Sequence, residues 1–67
     1  MYGRIKRIMR EKAFGFITPD DGSEDVYFNR SRLDPKINFE DLREGDEVQF
    51  HVRPGEKGPQ AIGVKLR

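Results

Sequence analysis

The stretch Lys12-Ala13-Phe14-Gly15-Phe16-Ile17 decides the fold. Successive side chains of a β-strand point to opposite faces, so Phe14 and Phe16 share one face while Gly15 and Ile17 share the other. If the two rings faced the core, Ile17 would lie in solvent, and a glycine between two core rings would have no evident purpose. We therefore predict that both phenylalanines face outward and that Ile17 faces the core.

A second extended run, Val26-Tyr27-Phe28-Asn29, follows after the turn signal Pro19-Asp20-Asp21-Gly22. With Val26 and Phe28 facing inward, Tyr27 and Asn29 face outward beside the first pair of rings in a β-hairpin. Three aromatic rings side by side on a solvated sheet, with Lys and Arg around them, are typical of a stacking platform for unpaired nucleobases. Tyr27 as an ordinary hydrated surface tyrosine is the simpler alternative.

Three further strands complete the pattern. Apolar residues alternate with polar ones over residues 48–52 and again over 62–66. A first strand covers roughly residues 2–10, and a bulge is expected there because Ile5 and Ile8 differ in parity. Five short strands in one chain predict an all-β domain over residues 1–67, a small five-stranded antiparallel barrel. The longer connection, residues 30–46, is expected to contain a helical turn around Ser31 or residues 40–44.

The inward positions of these strands predict one apolar core. Its expected members are Ile5, Ile8, Ile17, Val26, Phe28, Leu33, Leu42, Val48, Phe50, Val52, Ile62 and Val64.

Composition restricts the function classes. The chain has 67 residues, 34% of them hydrophobic and 37% charged, and no cysteine, so neither disulfides nor thiolate metal sites are available. His51 has no Ser or acid partner in a recognisable arrangement, and the acidic residues 20–25 lack the ligand spacing of an EF-hand. We expect no enzymatic activity, no cofactor, no metal and no small-molecule substrate. No membrane-length apolar run and no signal-peptide pattern is present, so a cytoplasmic location is expected.

Charge is distributed unevenly. The net charge is only +1, yet residues 1–12 hold five basic side chains against the single acid Glu11, while residues 18–25 are acidic. The positions of charges after folding, and not their sum, govern binding to a polyanion. A solvated surface of mixed sign is the alternative interpretation.

These motifs together resemble the bacterial cold-shock domain, a five-stranded OB-fold barrel that binds single-stranded nucleic acid. Residues 12–17 are similar to the first ribonucleoprotein motif of that family, residues 25–31 to the second, and Lys57-Gly58-Pro59-Gln60-Ala61 also lies in family-like register. The resemblance covers essentially the whole chain. It implies an RNA chaperone, or a modulator of transcription or translation, with single-stranded RNA or DNA as its partner. We expect a monomer, with a weak dimer as the alternative.

The chain departs from the family on the binding face. Arg7 stands where tryptophan is usual, Ala13 where glycine is usual, Asn29 where histidine is usual and Arg30 where a second aromatic is usual. These replacements predict weaker binding than in a fully aromatic relative and a steeper dependence on salt. The predicted nucleic-acid-binding residues are Lys6, Arg7, Lys12, Phe14, Phe16, Tyr27, Asn29, Arg30, Phe39, Lys57 and Gln60.

Several of these assignments have alternatives. Phe39 either joins the platform or closes the end of the barrel as a core residue. Asn29 either contacts a base edge or forms a turn, and Arg7, Arg30 and Lys57 are otherwise solvated charges. A different function is a diverged barrel that recruits an acidic protein partner. An RNA-recognition-motif domain fits poorly because it requires two amphipathic helices and the reverse order of motifs.

Overall fold

The computed structural model describes residues 1–56 and 58–67, and it confirms five strands. They are β1 (Tyr2–Met9), β2 (Phe14–Pro19), β3 (Val26–Asn29), β4 (Glu47–Gly55) and β5 (Gly58–Leu66). Short 3-10 turns lie at Arg10–Lys12, Arg30–Arg32 and Phe39–Asp41, the last two within the connection where a helical turn was expected. No α-helix occurs in the described residues, and none of their helices is long and apolar enough to cross a membrane.

The strands close into a barrel in the order β1-β2-β3-β5-β4. The pairs β1–β2, β2–β3, β4–β5 and β1–β4 are antiparallel. Strands β3 and β5 run parallel, and Tyr27 pairs with Gln60 between them. The predicted five-stranded all-β barrel is confirmed, and the β3–β5 seam is its one parallel strand pair among the described residues. The chain crosses from β3 to β4 through residues 30–46 and returns along β5, which gives β5 the direction of β3.

The expected bulge in β1 is confirmed. Ile5 pairs with Ile17 and Arg7 pairs with Phe16, so Lys6 is an extra residue on β1. The bulge reverses the parity of the strand. Ile5 and Ile8 both face the core side as a result, and Arg7 lies on the outer face opposite Phe16.

A second bulge, in β5, was not expected. Gln49 pairs with Lys65 and His51 with Ile62, so β5 carries one residue more than β4 between these pairs. Gly63 has a φ of 60° there, a left-handed conformation that suits glycine. The bulge brings Ala61 into the core and leaves Ile62 only partly buried, contrary to the prediction for Ile62.

Val52 was predicted in the core and is 41% exposed. Strand β4 pairs with β1 only through Glu47, Val48 and Gln49. Farther along, β4 has β5 as its only strand neighbour among the described residues, so Val52 lies where the β4–β5 hairpin extends past the barrel wall.

A single cluster of buried side chains fills the barrel. Its members are Ile5, Ile17, Val26, Phe28, Phe39, Leu42, Val48, Phe50, Ala61 and Val64, with Ile8, Leu33 and Ile37 packed against it. Phe39 is 4% exposed and its ring centroid lies 6.4 Å from that of Phe28. Of its two interpretations, the core residue is correct, because the 3-10 turn Phe39–Asp41 directs this ring into the barrel. Phe39 is therefore removed from the predicted binding residues.

Candidate nucleic-acid interface

The rings of Phe14, Phe16 and Tyr27 form one cluster on the outer face of the β2–β3 hairpin. The ring centroids are 5.3 Å apart for Phe14 and Tyr27, 5.7 Å for Phe14 and Phe16, and 6.1 Å for Phe16 and Tyr27. All three side chains are partly exposed, while Gly15 and Ile17 between and beside them are buried. The predicted orientation of β2 is confirmed. We call these three residues the ring cluster.

Gly15 keeps the hairpin close to the rest of the barrel. A Cβ atom at this position would lie 2.6 Å from the backbone oxygen of Arg7 and 2.8 Å from the ring of Phe28. The residue between the two outward rings faces the core so close to these atoms that only a hydrogen fits. A glycine at this position is therefore a packing requirement of the inner face.

Asn29 extends the outer face beyond Tyr27. Its amide nitrogen donates to the Tyr27 hydroxyl at 3.2 Å, and its amide oxygen accepts from the backbone N–H of Ser31 at 3.1 Å. The second bond caps the 3-10 turn Arg30–Arg32. The turn-forming interpretation of Asn29 is thus confirmed, and the same bonds fix the direction of its amide beside the ring cluster.

Lys6 is held by an acidic neighbour. Its ammonium nitrogen lies 2.7 Å from Asp25 Oδ2, and Asp25 Oδ1 accepts from the Thr18 hydroxyl at 3.0 Å. The hydrogen bonds from Lys6 and then Thr18 hold the pKa of the Asp25 carboxyl below its usual value. A phosphate that binds Lys6 has to compete with this carboxylate.

Three other predicted cations, Arg7, Lys12 and Arg30, lie on or next to the strands that carry the ring cluster or pair with them. Arg7 is exposed and pairs with Phe16 across the outer face. Lys12 is exposed at the end of the 3-10 turn before β2. The Arg30 guanidinium is 3.8 Å from the Glu40 carboxylate, a weak exposed pair. Lys57 lies outside the described residues.

Arg10 has a structural role that the sequence did not reveal. Its guanidinium donates to the backbone oxygens of Leu42 at 2.8 Å and Glu40 at 3.2 Å. These bonds fasten the 3-10 turn Phe39–Asp41 to the end of β1. No sequence signal distinguishes Arg10 from the other basic residues of the first strand, because its partners are backbone atoms far along the chain.

A cleft of about 210 Å³ adjoins the ring cluster at the β3–β5 seam. Its lining residues are Tyr27, Asn29, Ser31, Arg32, Gln60 and Ala61. Gln60 reaches this position because β5 pairs with β3 at Tyr27. The cleft places two predicted binding residues, Asn29 and Gln60, beside the ring cluster. It also contains Arg32, which was not among the predicted binding residues.

The complete chain, residues 1–67, matches the family model of the 'Cold-shock' DNA-binding domain. This chain belongs to the cold-shock domain family. The cold-shock-like protein CspC is 44% identical over 62 residues in both Buchnera aphidicola and Escherichia coli, covering 92% of this chain and 88% of the relative. A cold shock protein of Arthrobacter globiformis is 47% identical over 64 residues, covering 96% of this chain and 94% of that protein.

The fold of this cold-shock domain is also found in a larger protein. The solved structure of Drosophila Unr CSD456 superposes with a TM-score of 0.76 and 25% identity, over 98% of this chain and 26% of that one. The cold-shock domain family is a family of nucleic-acid-binding proteins that are not enzymes. The expected family is confirmed.

Proposed function

We propose that this cold-shock domain binds single-stranded RNA or DNA by stacking unpaired bases on Phe14, Phe16 and Tyr27. The observation that carries the proposal is the ring cluster: three rings within 6.1 Å of one another on the outer face of a barrel whose inner face is filled. Stacking of a base on an aromatic side chain contributes about 1–3 kcal/mol. Three adjacent rings therefore supply the main sequence-tolerant part of the affinity.

The charged residues bind the phosphate backbone of the nucleic acid next to the rings. Arg7 lies across from Phe16, where its planar guanidinium can stack on a base or contact a phosphate. Lys6, Lys12, Arg30 and Lys57 are the other cations assigned to the strand's path. Asn29 and Gln60 are the polar groups for base edges.

The physiological consequence is an RNA chaperone activity, or a modulation of transcription or translation. A protein that binds only the open strand shifts the equilibrium between a hairpin and its open form by mass action. This needs no nucleotide hydrolysis, because the binding energy itself is the driving force.

The ring cluster can be tested by substitution. We expect Phe14→Ala and Phe16→Ala to weaken single-strand binding by about tenfold each while leaving the unfolding transition nearly unchanged, since each removes one stacking surface. Phe50→Ala is the matched control: it truncates a ring of the same size in the core and should lower the free energy of unfolding by about 3–5 kcal/mol. Fluorescence titration and urea unfolding measure the two properties.

Titrations with matched single-stranded and double-stranded oligonucleotides, of both RNA and DNA, test the class of ligand. Preference for the single strand supports the proposal. Equal affinity for single strand and duplex would contradict it. No binding at low salt would instead favour a protein-interaction module that meets an acidic partner through Arg7, Arg30 and Arg32.

A further inference from the structure

The cleft at the β3–β5 seam contains an aromatic residue, Tyr27, on which a base can stack. It also contains several polar residues that can form hydrogen bonds with a base. Tyr27 belongs both to the ring cluster and to the cleft, so a base that follows the stacked bases along the outer face reaches this cleft next. The volume of about 210 Å³ is sufficient for a nucleobase. Apart from Tyr27 and the buried Ala61, the lining residues are polar.

The amide of Asn29 enters the cleft with part of its hydrogen-bonding capacity already used. One amide hydrogen is directed to the Tyr27 hydroxyl and one oxygen lone pair to the Ser31 N–H. One donor and one lone pair remain. Asn29 therefore supports a base in the cleft without selecting strongly between bases.

Arg32 is the charged residue among those that line the cleft, and its guanidinium is a hydrogen-bond donor. Its guanidinium makes no side-chain hydrogen bond and no ion pair within residues 1–56 and 58–67. Arg4, Arg30 and Arg67, by contrast, lie 3.3–3.8 Å from carboxylates. The parallel donors of Arg32 are thus available to a ligand.

Guanine complements this arrangement better than the other bases. It presents two neighbouring acceptors, O6 and N7, which the fork of an arginine binds with two hydrogen bonds, whereas the corresponding edge of adenine pairs one acceptor with a donor. We propose, resting on the single-strand binding proposed above, that the cleft binds a guanine base and that Arg32 makes the domain specific for it. Lysine would retain the charge without the fork.

The first experiment measures base preference along the strand. Thymidine strands of about eight nucleotides, within the site size of an OB fold, carry one guanine at each position in turn. We expect one position at which guanine strengthens binding about fivefold or more. At that position 7-deazaguanine, which lacks the N7 acceptor, should lose the preference, whereas hypoxanthine, which keeps O6 and N7, should retain it.

The second experiment assigns the preference to Arg32. Arg32→Lys should abolish the guanine preference and leave affinity for the all-thymidine strand nearly unchanged, and Arg43→Lys, a matched change on the exposed loop before β4, should alter neither. A guanine preference that survives in Arg32→Lys overturns the proposal. So does a uniform loss of affinity for all strands in Arg32→Gln, because that result identifies a phosphate contact.

The two proposals fail differently. A protein that binds the thymidine strand but shows no guanine preference at any position overturns the base-reading role alone. A protein that binds none of the strands overturns single-strand binding as well.

Discussion

At the scale of single residues, Ala13 holds a conformation that a side chain disfavours. It follows the 3-10 turn Arg10–Lys12 with a φ of 58° and a ψ of 41°. Its backbone is nevertheless fixed there, because its N–H donates to the Arg10 oxygen at 3.2 Å and its oxygen accepts from the Arg30 N–H at 3.0 Å. The left-handed region costs a residue with a Cβ about 1–2 kcal/mol.

Ala13→Gly should therefore raise the free energy of unfolding by about 1 kcal/mol, since relief of strain exceeds the extra entropy of glycine in the unfolded chain. Urea unfolding measures the effect. Ala61→Gly is the control and should destabilise, because Ala61 is buried and its φ is not in the left-handed region. A loss of stability in Ala13→Gly would show that the conformation carries no strain.

Asp25 gives a pH dependence with a definite sign. Hydrogen bonds from Lys6 and Thr18 lower the pKa of its carboxyl in the folded protein, so the ionised carboxylate stabilises the fold. This contribution to the free energy of unfolding is complete above the ordinary carboxyl pKa of about 3.9 and is lost as the pH falls through the lowered value. We expect Asp25→Asn to lose less stability than the parent on acidification below about pH 4. Unfolding midpoints across that range measure it, with Asp41→Asn as the exposed control. Identical acid profiles for parent and Asp25→Asn would contradict the expectation.

At the scale of strands, the hairpin β2–β3 depends on close approach to β1. Gly15→Ala would place a Cβ against the Arg7 backbone oxygen and the Phe28 ring. We expect a loss of about 1–3 kcal/mol, since neither a backbone oxygen nor a buried ring yields easily. Thermal unfolding measures this loss.

Gly22→Ala provides the comparison for this prediction. Gly22 has a φ of 83° and no atom within 4 Å of an added Cβ, so only backbone strain is introduced. Gly15→Ala should show a disordered ring cluster by NMR in addition to its lower stability, whereas Gly22→Ala should leave the ring cluster intact. A Gly15→Ala protein as stable as the parent would mean that the two strands can separate without cost.

At the scale of the whole molecule, binding depends on the arrangement of charges around the ring cluster. Arg7→Trp would restore a stacking surface and remove one cation, so we expect tighter binding by about 1–3 kcal/mol and a weaker dependence on salt. For single strands, the logarithm of affinity changes with the logarithm of salt concentration by about 0.7 per neutralised phosphate. Titrations at several salt concentrations should show a slope smaller by that amount. An unchanged slope would place Arg7 away from the phosphates.

Much of the fold follows from local patterns in the sequence. Alternation along a strand is a property of each residue's own backbone, so the outward rings of Phe14, Phe16 and Tyr27 and the inward Val26 and Phe28 could be predicted without knowing their neighbours. Family motifs then indicated the barrel and its ligand class. The departures at Arg7, Asn29 and Arg30 could likewise be recognised, although not the partners of these side chains.

The sequence by itself thus determined five strands, the closed all-β architecture and the face that carries the rings. Only the tertiary structure decided the bulge at Gly63, the exposure of Val52, the burial of Phe39, the pairing of Lys6 with Asp25 and the cleft that unites Tyr27, Arg32 and Gln60. The physical reason is that each of these depends on contacts between residues far apart in the chain. A bulge reverses strand parity, and closure of the barrel fixes which distant side chains meet.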